Sequence, residues 1–501
     1  MTLAEANVAP RPLDALLAGM TASPVPDTPV SGVAADSRRV RPGYLFLARP
    51  GDANHGLAFA EEAVSRGAAA VIWDGEPDDP RAALSVPTVR VPDLAHRCGE
   101  IAARFHGHPS RALAVTGVTG TDGKTSCAHI LAQALDLTGH RCGYLGTLGY
   151  GTLADLTPAA HTTPDAVELQ DWLARMVAAD LDSAAIEVSS HALEQGRVDG
   201  VAFDVAVLTQ IGRDHLDYHG SPAAYAAAKR RLFEMPGLGT AVLNADDAHG
   251  RAWLETLPAG VSVVAYGLDP AAVPAGCRRV VAREVLAQPN GLSLDITGDW
   301  GELRIHSRLI GRFNAYNLLA AAAVLLVREI EPAAAVAALD GVGTVPGRME
   351  IVSGGMGRPL VVVDYAHTAG ALEQALLAVA EHCRGRLICV FGCGGERDRG
   401  KRPLMAAAAA RHADAIWVTD DNPRGEAPEA IVADIRSGFP AAAPVTVEHD
   451  RARAIASAIA EARDGDAVLI AGKGHETFQI VAGQRRPFDD RAAARQALEA
   501  A

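Results

Sequence analysis

Leu113-Ala114-Val115-Thr116-Gly117-Val118-Thr119-Gly120-Thr121-Asp122-Gly123-Lys124-Thr125 is the stretch on which the reading of the fold turns. An apolar run, Leu113 to Thr116, reads as a buried strand; a glycine-rich turn follows, and then a helical pattern from Ser126 to Leu137. A strand, such a turn and a helix N-terminus aim several backbone N–H groups and the positive helix end at one point, which suits a triphosphate. Lys124 would reach the outer phosphates and Thr125 a magnesium ion. Gly120, Thr121, Asp122, Gly123, Lys124, Thr125 and Ser126 are therefore the candidate ATP-binding residues of this segment. Val118 stands where the usual Walker pattern has its first glycine, so a purely structural turn remains the competing reading.

Working outward, short apolar runs alternate with long alanine-rich stretches, the pattern of buried parallel sheets covered by helices. Ala184–Val188 and Val205–Thr209 join the first strand in a middle set. Val361–Asp364, Leu387–Phe391, Ala415–Thr419 and Ala467–Ala471 form a second set, with room for a crossover helix between neighbours. Helix breakers mark two junctions, Gly107-His108-Pro109-Ser110 and Gly341 to Gly347. A chain of 501 residues fits about three domains at roughly 150 residues each. The expectation is a three-domain α/β protein: a smaller N-terminal domain at 1–108, a central P-loop sheet at 109–344 and a Rossmann-like domain at 345–501.

The formal net charge of -14 argues against a nucleic-acid or anionic-membrane partner, whose surfaces need a cationic stripe. Seven cysteines without a Cys-x-x-Cys pair read as free thiols in a reducing compartment. With no apolar run long enough to span a membrane and no basic, apolar start, the expected location is the cytoplasm, with no membrane insertion. Lys and Arg total 46, yet only four are lysines: Lys124, Lys229, Lys401 and Lys473. Where arginine has replaced generic surface lysine, the lysines that stay should need a compact ammonium or a modifiable amine.

Glu187 ends an apolar strand, and a carboxylate at the C-terminal edge of a parallel sheet is placed to hold magnesium; a helix-capping acid is the plainer alternative. His215 and His219 have a spacing that also fits zinc, but a third clustered ligand is not evident, so magnesium is preferred and His219 is read as a hydrogen-bonded structural residue. Lys229 lies in an alanine-rich helical stretch beside Arg230 and Arg231; its default role is a solvated cation, which lysine scarcity makes less natural.

From the loop onward the chain resembles the Mur ligases and the related folylpolyglutamate synthetases. The blocks that carry the resemblance are Asp36-Ser37-Arg38, Thr119 to Thr125, Thr162-Thr163-Pro164, Glu187 to His191, Arg213 to Gly220 and Tyr225 to Lys229. They continue with Asn244 to Asp247, Gly311 to Asn317, Pro346 to Glu350, Asp364 to Thr368, Asp421 to Arg424 and Gly472 to Glu476. Three positions depart from the family pattern: Asp122 where Asn is commoner, His161 in place of the Asn before the paired threonines, and Ala369 where Pro usually follows.

The resemblance implies a ligase that spends ATP to add the third amino acid to a UDP-muramoyl dipeptide in peptidoglycan synthesis, and so serves cell-wall growth and division, acting as a monomer. It implies that Lys124, Glu187, His215 and Lys229 form the catalytic group, with magnesium held by Thr125, Glu187, His215 and a carbamylated Lys229. Asn314, Arg348, Asp364 and His367 would complete the ATP site. Ser37, Thr162, Thr163, Ser189, Gln195 and Arg197 would hold the UDP-sugar dipeptide. Arg397, Asp421, Asn422, Pro423, Arg424, Gly472 and Glu476 would hold the amino acid, Arg424 gripping the distal carboxylate of meso-diaminopimelate and Glu476 suiting its distal amine. L-lysine or L-ornithine is the alternative third amino acid. A folylpolyglutamate synthetase and a P-loop switch protein are the other readings of the loop.

Overall fold

Strands form where uncharged β-branched and aliphatic residues run together, and the loop strand is the clearest case. It spans Ala114–Thr119 rather than stopping at Thr116, because Ser183–Glu187 pairs with it as far as Val118 and Val205–Leu208 as far as Thr119. The structure, a computed structural model, describes residues 3–6, 8–51, 54–76, 79, 82–288, 291–353 and 357–500. The chain packs as two compact units, 1–280 with 320–331, and 281–319 with 332–501.

The first unit holds a small antiparallel pair, Arg11–Pro12 with Pro29–Val30, and strands of two larger sheets. Near its N-terminus the strands Gly32–Ala34, Tyr44–Ala48, Ala70–Trp73 and Thr88–Arg90 lie side by side in chain order, all parallel. The larger sheet runs in the order Asp155–Thr157, Gly149–Thr152, Cys142–Gly146, Ser183–Glu187, Ala114–Thr119, Val205–Leu208, Thr240–Asn244, Ser262–Gly267. The two outermost strands at the first end are antiparallel, and the rest are parallel. The loop strand thus sits inside the sheet, with Val118 level with Glu187 on one side and Thr119 level with Leu208 on the other. Leu145, Ile186, Leu208, Leu243, Trp172 and Phe233 join one buried cluster, whose area removed from water holds the layers together. Ligands of such sheets bind at the carboxyl ends of the strands, which is where Thr119, Gly146 and Glu187 stand.

The second unit contains a sheet ordered Glu350–Ser353, Leu360–Asp364, Ala467–Ala471, Leu387–Phe391, Ala415–Val418, Val445–Val447, parallel except for the first strand. Clusters bury both faces of this sheet, one around Phe391, Met405 and Ile435, the other around Ile388, Ile455 and Ile470. Near-continuous apolar strands are what such double burial requires. Arg451 and Asp490 are both fully buried and pair through two 2.7 Å bonds, tying the helix Arg451–Glu461 to the final helix Asp490–Ala500.

The α/β class expected from sequence, with helices covering mostly parallel sheets, is what the fold contains. Not foreseen were the antiparallel strands at the edge of the large sheet, the hairpin Gly291–Gly298 with Gly301–Ser307, and the ribbon Phe478–Val481 with Gln484–Pro487. Among the described residues no helix is long and apolar enough to cross a membrane.

Candidate functional site

The turn after Ala114–Thr119 is shaped by Gly120, at φ +149°, where a Cβ would lie 1.8 Å from the Thr209 hydroxyl oxygen. That hydroxyl donates to the Asp122 carbonyl at 2.6 Å, and the Gln210 amide holds the Asp122 carboxylate at 2.7 Å, so the strand Val205–Leu208 and its continuation brace the loop. Gly123, at φ +83°, precedes the helix Lys124–Leu137. The Lys124 ammonium donates to the carbonyls of Gly120 and Thr121, each at 2.9 Å.

Glu187 is fully buried at the end of the adjoining strand. One carboxylate oxygen accepts from the Tyr144 hydroxyl and from the Thr147 N–H at 2.8 Å; the other accepts from the Thr125 hydroxyl at 2.8 Å and the Thr147 hydroxyl at 3.2 Å. A Cβ on Gly146 would lie 2.1 Å from that carboxylate, which is why the neighbouring strand ends in glycine. Glu187 caps no helix; Ser189 does so for Ser190–Glu194, accepting from the Ala192 N–H.

Lys229, on the helix Pro222–Arg230, is 1% exposed, and its Nζ donates at 2.6 Å to the Gly120 carbonyl that also receives Lys124. It lies 4.6 Å above the Tyr225 ring, whose hydroxyl is 3.0 Å from Thr121 Oγ1. Burial and then the nearby Lys124 charge push its pKa down to about 6. The solvated-cation alternative is thereby overturned. His215 has φ +48° and packs its ring 4.7 Å from His191, while His219 Nε2 is 3.0 Å from Ser190 Oγ, the structural contact expected for it. Burial, followed by the His215 and His219 charges, lowers the pKa of His191. Among the described residues no group of three or more His, Cys, Asp or Glu side chains is arranged to hold a metal ion.

A second hydrogen-bonded group adjoins Glu187. Thr163 Oγ1 donates to the Glu187 carbonyl at 2.7 Å and accepts from the Ser189 N–H at 3.1 Å. The Thr162 hydroxyl is 3.2 Å from that of Thr147. Arg197 donates twice to Gln195 Oε1, at 2.9 and 2.6 Å, and once to the Thr163 carbonyl at 3.1 Å. Ser37 lies in the N-terminal sheet region, its hydroxyl 2.7 Å from Glu62.

The second unit carries two more groups. In one, Asp364 accepts from the Met349 and Ala366 N–H groups, both at 2.7 Å, and burial raises its pKa. Arg348 lies 4.7 Å over the Tyr365 ring, and the His367 ring is 4.7 Å from the same tyrosine. Asn314 and Asn317 do not cap a helix entry. Both lie inside the helix Arg312–Val327, where Asn314 donates to the Ile310 carbonyl at 2.8 Å and Asn317 to Asn314 Oδ1 at 2.9 Å. Ala369 opens the helix Ala369–Ala380 behind a Thr368 cap, a first position where proline would also fit.

In the other group, Arg424 Nη1 donates at 2.8 Å to the Gly395 carbonyl, and Asn422 Nδ2 donates at 3.0 Å to Glu476. A Cβ on Gly394 would lie 2.9 Å from Arg424 Nη1 and 3.7 Å from the Arg397 side chain, so both guanidinium-bearing chains border one glycine turn. Asp421 and Asn422 are buried and Gly472 has φ +120°.

Family models match three stretches: the Mur ligase family catalytic domain at 29–106, the Mur ligase middle domain at 118–325, and the Mur ligase glutamate ligase domain at 347–474. The chain belongs to the Mur ligase family. It is 50% identical over 481 residues to the UDP-N-acetylmuramoyl-L-alanyl-D-glutamate--2,6-diaminopimelate ligase of Alkalilimnicola ehrlichii, covering 94% of this chain and 95% of that one. The ligase of the same name from Coxiella burnetii is 47% identical, over 97% and 98% of the two chains. A solved structure of a UDP-N-acetylmuramoyl-L-alanyl-D-glutamate--2,6-diaminopimelate ligase superposes with a TM-score of 0.76 at 35% identity, covering 98% and 99%.

For a Mur ligase, the structure joins Lys124, Thr125, Glu187 and Lys229 around one loop, and Thr162, Thr163, Ser189, Gln195 and Arg197 in one network beside it. It does not bring Ser37 into that network by any direct hydrogen bond among the described residues. Sequence reasoning missed Tyr144, Thr147, Tyr225 and Tyr365. Only strand adjacency, which this Mur ligase sequence does not state, would have pointed to the first two.

Proposed function

We propose that the protein joins meso-2,6-diaminopimelate to UDP-N-acetylmuramoyl-L-alanyl-D-glutamate, consuming ATP, as a step in peptidoglycan synthesis. The substrates are those in the names of its relatives at 50% and 47% identity. The observation that carries the chemistry is the loop itself, where Lys124 and Lys229 converge on the Gly120 carbonyl and Thr125 binds the Glu187 carboxylate.

A carboxylate is a poor electrophile. Its oxygen would attack the terminal phosphorus of ATP, releasing ADP and forming an acyl phosphate. The amine of the diamino acid would then attack that carbonyl carbon, lose a proton, and expel phosphate. Loop N–H groups and Lys124 would neutralise and align the phosphates, so positioning supplies most of the rate. Gly120 to Ser126, with Asn314, Arg348, Asp364 and His367, are the proposed nucleotide contacts. A bound magnesium ion would supply positive charge to offset that of the phosphates. The hydroxyl and carboxylate oxygens of Thr125 and Glu187 are hard donors suited to it, with His215 and a Lys229 carbamate as further ligands.

With a pKa near 6, Lys229 is an uncharged amine at neutral pH. Its nitrogen can form a C–N bond to carbon dioxide, shed a proton to solvent and become an anionic oxygen donor, which a guanidinium cannot do. Ser37, Thr162, Thr163, Ser189, Gln195 and Arg197 are the proposed contacts for the UDP-sugar dipeptide. Arg397, Asp421, Asn422, Pro423, Arg424, Gly472 and Glu476 are those for the amino acid. A planar guanidinium on the distal carboxylate of diaminopimelate is worth about 1.5–3 kcal/mol as a charge-assisted bond, which L-lysine and L-ornithine forgo. Domain limits at 1–108, 109–344 and 345–501, and a cytoplasmic location, complete the reading; seven free cysteines support a reducing compartment.

Two measurements test it. With 18O in the glutamyl carboxylate, label should pass into released phosphate; unlabelled phosphate would rule out the acyl phosphate. In competition among the three diamino acids, diaminopimelate should be taken preferentially, and preference for lysine or ornithine would reassign the substrate.

A further inference from the structure

Beneath the Asp421 to Arg424 turn lies a charge that no step above uses. The Lys473 side chain is fully buried, and its Nζ lies 3.0 Å from Glu476 Oε2, 3.2 Å from Asn422 Oδ1 and 3.4 Å from Asp421 Oδ1. An ammonium has three donors, and here each meets one acceptor. Asn422 is locked as a result. Its Oδ1 also accepts from the Ile480 N–H at 2.9 Å, and its Nδ2 donates to Glu476 at 3.0 Å; turning the amide over would set NH2 against an ammonium and an N–H. Arg451, next below, pairs with Asp490 and donates to the Ala471 carbonyl.

We propose that Lys473 is a positioning residue for the amino-acid substrate: sealed from solvent, it holds Glu476 and Asn422 in the arrangement that receives the distal amine. The proposal rests on the reading of this turn as the diamino-acid pocket. Two carboxylates, Asp421 and Glu476, face one ammonium, and the Arg451–Asp490 pair cancels itself. Lys473, Asp421 and Glu476 taken together keep one unit of negative charge, which favours a cationic group beside Glu476. Three separate acceptors around a point also explain lysine here, in a chain that uses arginine for nearly all its other cations.

Lys473→Met should raise KM for diaminopimelate by about tenfold or more while leaving KM for ATP and for the UDP-muramoyl dipeptide within about twofold and kcat within about threefold. An unchanged KM for diaminopimelate, or equal losses toward all three substrates, would overturn the positioning role. A second measurement needs no altered fold. With 13C at lysine Cε, wild-type protein gives four signals, assigned by replacing the lysines singly. In the presence of a non-hydrolysable ATP analogue and the UDP-muramoyl dipeptide, the Lys473 signal should move as diaminopimelate is added; a signal unmoved at saturation overturns the proposal. Wild-type protein that forms no amide with diaminopimelate would instead sink the functional reading itself.

Discussion

Lys229 concentrates the chemistry of the first unit into one amine. Its pKa of about 6 lies far below the ordinary 10.5, because burial and the Lys124 charge both oppose protonation. Between those values the unfolded chain holds a proton that the folded chain does not, so stability rises with pH across that window and the buried amine weighs on the fold at neutrality. Lys229→Met should therefore melt no lower than the wild type while losing turnover by at least about a hundredfold, a separation that thermal melts and initial rates will reveal. Carbon-dioxide-free buffer should depress wild-type activity and bicarbonate restore it, with restoration failing as pH falls through about 6. Bicarbonate-independent rates would exclude the carbamate. The special status of Lys229 was legible in the sequence, because four lysines among 46 basic residues made each one conspicuous. Its burial against Gly120 was not, since a separation of 109 positions is closed only by the fold.

At the level of elements, the loop works because two neighbouring strands end level with it. Gly120→Ala would drive a methyl into Thr209 Oγ1 and force an L side chain to φ +149°, so a cost of roughly 1–3 kcal/mol and loss of nucleotide binding are expected by melting and titration. Strands and crossover helices could be read from apolar runs, and the strand limits coincide or differ by one residue; the loop strand alone extends three residues further. Their lateral order could not. The sequence carries no sign that Cys142–Gly146 lies beside Ser183–Glu187, and so Thr147 and Tyr144 went unnoticed as partners of Glu187. The asparagines of the helix Arg312–Val327 show the opposite limit: asparagine is a common helix cap, yet position inside the helix turns Asn314 toward a carbonyl.

Across the whole molecule, a net charge of -14 coexists with local positive groups such as the Lys124 ammonium in its loop. The buried Arg451–Asp490 pair belongs to this scale, since it fastens the last helix to the second unit's sheet. Arg451→Met would leave the Asp490 carboxylate buried and uncompensated, and about 3–5 kcal/mol should be lost in urea unfolding. A loss under about 1 kcal/mol would mean that water reaches the site in solution. The distribution of lysines has a practical corollary as well. Of the four bonds open to a lysine-specific endoproteinase, those after Lys229 and Lys473 follow sealed side chains and the one after Lys124 follows an amine clasped by its own loop. Native digestion should consequently begin after Lys401, and new fragments arising from the other three would serve as a clock for local opening of each pocket.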